Sequence, residues 1–247
     1  MLYDTLLIGS GYASLGYALA RGNTLICEAN ELCDNDFCLP IRGYGEIRSE
    51  CESTLGKELL DYYAELGLIR DGVPNTVALE CGFCGFAIKH GADVRLKCRV
   101  IGWEQGEDGV ITAGLISGGG IEHVRARRVI DMRTTSGARY LTILFTADTG
   151  EDVAAIASAF PEASVESAFY EGRYALYVPI GEEDYVSAKA RIYERWSASE
   201  GRAKLLYTAP VVCIRSEGGR EAPCDGDYTD FISAFEAGIG YAECVEV

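Results

Sequence analysis

Apolar positions open the chain as a short unbroken run. Residues 3–9 (Tyr-Asp-Thr-Leu-Leu-Ile-Gly) read as a buried strand, followed by the turn Gly9-Ser10-Gly11-Tyr12-Ala13-Ser14. Helical spacing takes over across 15–21. A second continuous apolar stretch, Thr24-Leu25-Ile26-Cys27, then ends on the acid Glu28. Strands without alternation are covered on both faces, the signature of a parallel sheet inside an α/β protein. Leu55, Leu59, Tyr62, Tyr63 and Leu66 predict an amphipathic helix over 52–66. A further helix is expected over 76–89, stopped where Gly91 suits a left-handed cap. Residues 92–103 read as one strand, and 109–117 with 121–129 as a hairpin over Gly118-Gly119-Gly120. From Tyr140 the rhythm changes to strand 140–147, helix 150–159, a strand pair within 166–180 around Glu171-Gly172, and helix 182–198. This compact α+β unit is followed by a strand over 205–214 and a last helix with Thr229 or Asp230 as its N-cap.

Composition changes that picture only at its edges. A chain of 247 residues can form one large or two small domains. A net charge of −16 argues against nucleic acid or an anionic membrane as a partner. An anionic ligand must therefore be held by local N–H groups and a few placed arginines. The apolar start carries Asp4 where a signal peptide needs basic residues, and no run of 18 apolar residues occurs, so a soluble, cytoplasmic protein is expected. Assembly into a homo-oligomer is left open. The ten cysteines belong to a long chain without an export signal, which argues against a disulfide framework. Cys27 and Cys98 fall inside strand patterns, as small buried hydrophobes do. Cys81 and Cys84 have metal-ligand spacing but no second such pair, and only His90 and His123 to complete a set, so no metal site is predicted.

The chemistry concentrates at the first turn. Gly9 permits a sharp bend, and Gly11 lets the backbone come against a pyrophosphate. The helix N-terminus behind them offers free N–H groups and a partial positive charge. Glu28, at the end of the next strand, stands where a carboxylate accepts from a ribose 2′-hydroxyl. Strand, glycine turn, helix, strand and terminal acid occur in order, which makes the dinucleotide fingerprint specific. Ser14 takes the third glycine's place, so the helix is expected slightly further from its strand. The glycine triplet at 118–120 has no helix behind it and is a turn only.

These motifs resemble FAD-dependent oxidoreductases of the glutathione-reductase-like fold, over roughly residues 1–132 and 205–247. Asp4 to Ala18 matches the family's opening motif, and Glu28 matches its ribose acid. Residues 91–100, ending at Val100, look like the strand whose backbone contacts the adenine. Gly226-Asp227 before a helix resembles the late motif in which an aspartate binds the ribitol. The resemblance implies a Rossmann-like FAD-binding domain in two segments, 1–135 and 205–247, around a small α+β insert, 136–204. It implies FAD as cofactor, on Gly9, Ser10, Gly11, Tyr12, Ala13, Ser14, Glu28, Ala29, Arg42, Val100, Gly226 and Asp227. Ile130-Asp131-Met132-Arg133-Thr134 departs from the family's Ile-Asp-Ala-Thr-Gly, with an arginine where the backbone usually approaches the cofactor.

The expected function is hydride transfer between a small-molecule substrate and the flavin. Arg42 and Tyr44 are candidates for the flavin ring. Cys33 and Cys38 have the spacing of a redox disulfide at a comparable place in the fold. Asp34 and Asp36 beside them oppose a stable thiolate. A non-catalytic flavin- or nucleotide-binding protein and a disulfide relay through Cys33 and Cys38 are the alternatives. Free thiols at 33 and 38, and no second βαβ unit for a nicotinamide nucleotide, are the expectations that follow.

Overall fold

The computed structural model describes residues 1–33, 36–43, 46–199 and 202–245. It opens with β1 (Leu2–Ile8), α1 (Tyr12–Arg21) and β2 (Thr24–Cys27). Then come α2 (Thr54–Glu65), the short pair β3 (Ile69–Arg70) and β4 (Val73–Pro74), and α3 (Leu79–Lys89). β5 (Asp93–Arg95), β6 (Arg99–Gln105), β7 (Ile111–Ser117) and β8 (Gly120–Asp131) complete a six-stranded sheet in the order β5-β2-β1-β8-β7-β6. Its four strands from β5 to β8 in that order run parallel, while β7 and β6 continue as an antiparallel meander. All four residues of β2 are buried, as a strand covered on both faces requires.

The single strand expected over 92–103 is two strands at opposite edges of this sheet. Lys97, at φ 52°, turns the chain between them, and Lys97 N and Cys98 N donate to the carbonyls of Asn30 and Glu28. Backbone donors that would have continued the strand are satisfied by the loop after β2 instead.

A second sheet contains β9 (Ala138–Thr146), β10 (Ser164–Ser167), β11 (Arg173–Pro179), β12 (Lys204–Thr208) and β13 (Cys213–Arg215). The helices α4 (Gly150–Ala159) and α5 (Tyr185–Ser197) cover one face, burying Leu141, Ile143, Phe145, Ile156, Phe160 and Ile192. The strand expected over 205–214 is the short pair β12 and β13. Both pair with β9, so this stretch belongs to the second sheet and not to the first unit, to which the sequence reading gave 205–247.

The chain returns to the first unit as α6 (Phe231–Cys244), which Asp230 caps by accepting from the Ser233 amide. α6 lies directly on α1. A Cβ on Gly16 would collide with the Phe235 carbonyl, and one on Gly238 with the Ala13 carbonyl, so the two glycines set the helix separation. Around this contact Tyr12, Tyr63, Phe83, Phe86, Phe231 and Phe235 form an aromatic core shared by α1, α2, α3 and α6. No helix among the described residues is long and apolar enough to cross a membrane.

Candidate nucleotide site

The glycine turn is held from both ends. Gly9 has φ +96°, a conformation glycine adopts without strain, and its amide donates to the Cys27 carbonyl at 2.9 Å. The hydroxyl of Ser14, 1% exposed, donates to the Gly9 carbonyl at 2.8 Å. The extra atoms at this third-glycine position thus tie α1 back to the turn, while the close backbone approach is made by Gly16 against α6.

Glu28 is buried and its carboxylate is engaged by the protein itself. Oε2 accepts from the Ser10 amide at 2.9 Å and from the Ser10 hydroxyl at 3.3 Å. Oε1 accepts from the Asn30 amide at 2.8 Å. Ala29 is exposed beside it. Val100 stands apart: it lies in β6 opposite Leu115 of β7, while the backbone beside Glu28 is that of residues 95–98.

Sequence reading missed the residue that does most at this turn. Asp225, 1% exposed, sends its carboxylate to the N-terminus of α1. Oδ2 accepts from the Tyr12 amide and Oδ1 from the Ala13 amide, each at 2.8 Å. Burial, reinforced by the charge of Asp36, pushes the Asp225 carboxyl up to about 7 against those two hydrogen bonds and Arg42. One signal pointed there: Gly11, the N-cap of α1, has no side chain with which to satisfy the first amides.

Arg133 covers the other glycine. A Cβ on Gly9 would lie 2.5 Å from Arg133 Cγ. Its guanidinium donates to Asp131 through Nε at 2.9 Å and Nη2 at 2.6 Å. Burial works to raise the Asp131 carboxyl, but Arg133 overrides it and holds the group below its ordinary value. The space left at the turn is a cavity of about 160 Å³ between Gly9, Gly11, Glu28, Asp36 and Thr134.

Gly226 and Asp227 reach the same place through Thr134. The Thr134 hydroxyl accepts from the Gly226 amide at 2.9 Å and donates to Asp36 Oδ2 at 2.8 Å. Burial raises the Asp36 carboxyl above its ordinary value, although Thr134 and Arg42 oppose the shift. Asp227 Oδ2 accepts from the Cys224 amide at 3.1 Å, whereas Oδ1 is buried without a partner among the described residues. A buried carboxylate oxygen without a donor fits a ligand hydroxyl.

Arg42 is neither solvated nor free to swing. It is 2% exposed, donates through Nη2 to the carbonyls of Asp225 and Tyr228, and stacks 4.7 Å from the Phe37 ring centroid. It clamps the 225–228 turn beside a cavity of about 240 Å³, lined also by Glu166, Arg215 and Asp227, where the two sheets' units meet. Tyr44 and Asp34 lie outside the described residues. Cys33 and Cys38 are not brought together. Cys33 Sγ lies 3.8 Å from Cys84 Sγ on α3, and Cys38 Sγ donates to the Val77 carbonyl.

No protein-family profile matches the chain, and no curated protein does either. Solved structures do match. A geranylgeranyl bacteriochlorophyll reductase-like protein from Thermoplasma acidophilum aligns over 98% of this chain and 77% of its own, at 15% identity and TM-score 0.61. Aklavinone-11 hydroxylase, solved with FAD and aklavinone, aligns over 98% of this chain at 16% identity and TM-score 0.53. The chain spans 61% of that enzyme's length. A p-nitrophenol 4-monooxygenase from Pseudomonas putida DLL-E4 gives 13% identity, TM-score 0.52, and coverage of 98% and 77%. Glycine turn, Glu28 and late Gly-Asp turn thus sit on a mixed α/β fold, with a parallel sheet, like that of these solved hydroxylase, monooxygenase and reductase-like proteins.

Proposed function

We propose that this protein is an FAD-dependent oxidoreductase of the glutathione-reductase-like fold, transferring a hydride between a small molecule and the flavin. The observation that carries the reading is the convergence, on a flavoprotein fold, of Gly9, Gly11, Glu28 and Asp227. Asp227 Oδ1 is buried without a donor among the described residues. In this reading the ADP half lies along residues 9–14, with Glu28 at its ribose, and Asp227 receives a ribitol hydroxyl. FAD supplies the hydride-accepting ring, and the protein supplies placement and charge. Arg42 acts from behind the site, by fixing the carbonyls of Asp225 and Tyr228 that shape the late turn. The unit that faces the flavin domain extends in this reading over residues 136–215.

An apolar cavity of about 360 Å³, lined by Leu144, Phe169, Tyr170, Leu206 and Tyr207 and edged by Arg173, opens on the second sheet. Its lining suits a largely apolar substrate. The second reading, a nucleotide- or flavin-binding protein without turnover, is favoured by one observation. Asp225 and Arg133 lie over the two glycines that a pyrophosphate would approach.

The test is an absorbance spectrum of the purified protein, before and after incubation with FAD, with mass identification of any released cofactor. Flavin bands and stoichiometric uptake are expected. A colourless protein that takes up no FAD sinks the proposal, and flavin that no substrate or reductant turns over selects the second reading.

A further inference from the structure

The position a pyrophosphate would take on α1 already holds an anion, and that anion belongs to the chain. Gly11 cannot cap α1, and Asp225 supplies the cap from the far end of the sequence. Two carboxylate oxygens on two successive N–H groups at a helix N-terminus reproduce what a phosphate does there. The overlap is close: a Cβ on Gly11 would lie 2.5 Å from Asp225 Oδ2. The space that Gly11 keeps clear is the space the carboxylate uses.

Resting on the FAD reading, we propose that Asp225 is an internal stand-in for the pyrophosphate, and that a dinucleotide binds only as this carboxylate leaves the α1 N-terminus. The two anions compete for the same amides and repel each other, so one excludes the other. Asp225 belongs to the single 3-10 turn 225–227, which also carries Asp227, and Arg42 grips the carbonyls at both of its ends. Its withdrawal therefore shifts Asp227 and the groups facing the 240 Å³ cavity. Binding at the phosphate end is thereby coupled to the arrangement at the other end of the cofactor site.

The balance that holds Asp225 in place is visible around it. The Tyr12 and Ala13 amides on α1 and the Arg42 guanidinium from the loop before α2 favour the charged carboxylate. Asp36 from that same loop opposes it, as does its own burial. Asp227 and Tyr228 neighbour it on its own turn. From the segment after β8, Thr134 bonds to Asp36, and Arg133 covers Gly9 with its charge tied to Asp131. Glu28, at the end of β2, is engaged by Ser10 and Asn30. A site that raises its carboxyl to about 7 holds Asp225 better as the neutral acid than as the anion, and a carboxylate withdrawn to solvent regains its ordinary value, so withdrawal is easier once Asp225 is ionised. Dinucleotide affinity then falls as pH falls through neutrality.

The experiment compares wild type with Asp225→Asn, which keeps the shape but cannot accept with both arms. FAD is one probe. ADP-ribose, which carries the pyrophosphate diester without the flavin, is the other, and neither pyrophosphate titrates near neutrality. Wild-type affinity for both is expected to rise about tenfold between about pH 6 and about pH 8. Asp225→Asn is expected to bind about tenfold tighter at about pH 8 and to lose the pH dependence. Amide exchange at Tyr12 and Ala13 in the variant should be fast without ligand and slow with ADP-ribose. Near-ultraviolet circular dichroism verifies its fold. Tighter ADP-ribose binding without FAD binding would overturn the FAD reading and keep the stand-in. Equal or weaker binding of both probes to a folded Asp225→Asn overturns the stand-in. Should that variant not fold, a wild-type affinity that is flat or rises toward about pH 6 overturns it just as well. Neither probe binding to either protein overturns both.

Discussion

Removing the Glu28 carboxylate strands the buried Ser10 amide and takes its acceptor from the part-buried Asn30 amide. Glu28→Ala is therefore expected to destabilise the ligand-free protein by about 1–3 kcal/mol, the scale for leaving such groups unpaired. Urea denaturation checks this. An unchanged midpoint together with weakened FAD binding would mean that the carboxylate serves the ligand alone. Asp225 yields a second expectation at this scale. Its folded carboxyl stands near 7, whereas in the unfolded chain it titrates at about 3.9. Between those values the folded state binds more protons, so its contribution to stability falls as pH rises from about 4 to about 7. Asp36 shifts in the same direction. Asp225→Asn should flatten that slope, measured by denaturation at about pH 5 and about pH 7.5; a slope unchanged by the substitution counts against it. Gly9, Gly11 and Glu28 were legible in sequence because turn, helix start and strand end are local. Asp225 was not, since the amides it caps lie more than 200 positions away. The clamp made by Arg42 was hidden for a related reason, since the Asp225 and Tyr228 carbonyls that it grips lie more than 180 positions away.

At the scale of elements, the α1–α6 contact carries the site. Gly16 and Gly238 bring two backbones together so closely that either Cβ would meet a carbonyl. Gly238→Ala is expected to cost about 1–3 kcal/mol, as overpacking does. It should also push α6 away from α1, moving the Asp225 turn that precedes α6. Loss of stability accompanied by faster amide exchange at Tyr12 and Ala13 is the expected outcome, and full retention of both would refute it. Neither glycine announced this contact, because a helical glycine in sequence shows only a lower propensity. Caps were more readable. Asp230 opens α6 as its residue type suggested, accepting from Ser233 at 2.9 Å. The break at Leu96-Lys97 was invisible, for no glycine or proline marks it and Lys97 adopts its positive φ to donate to Asn30. β12 and β13 read correctly as extended chain, but a strand's pattern does not name its partner. Their pairing with β9 is set by the folded second sheet.

For the whole molecule, the sign of the net charge becomes a kinetic statement. The protein carries −16, and Glu28, Asp36, Asp225 and Asp227 crowd the proposed seat of an anionic cofactor. Arg42 faces inward onto carbonyls and Arg133 is neutralised by Asp131, so little positive charge is left to draw a pyrophosphate in. Flavoprotein folds solve this problem locally, with amides and helix dipoles whose reach ends within about a turn of helix. Beyond that distance an approaching FAD meets the field of the whole acidic surface, which salt screens over a Debye length of about 8–10 Å at physiological strength. FAD association is therefore expected to speed up, by several-fold, as ionic strength rises from about 0.01 M to about 0.15 M. The final affinity should change less, because the bound pyrophosphate is screened by protein and not by solvent. Stopped-flow quenching of flavin fluorescence measures the rate directly. An association rate that falls with salt would mean that Arg133 leaves Asp131 and steers the cofactor, and that the local field at the turn outweighs the charge of the rest of the chain.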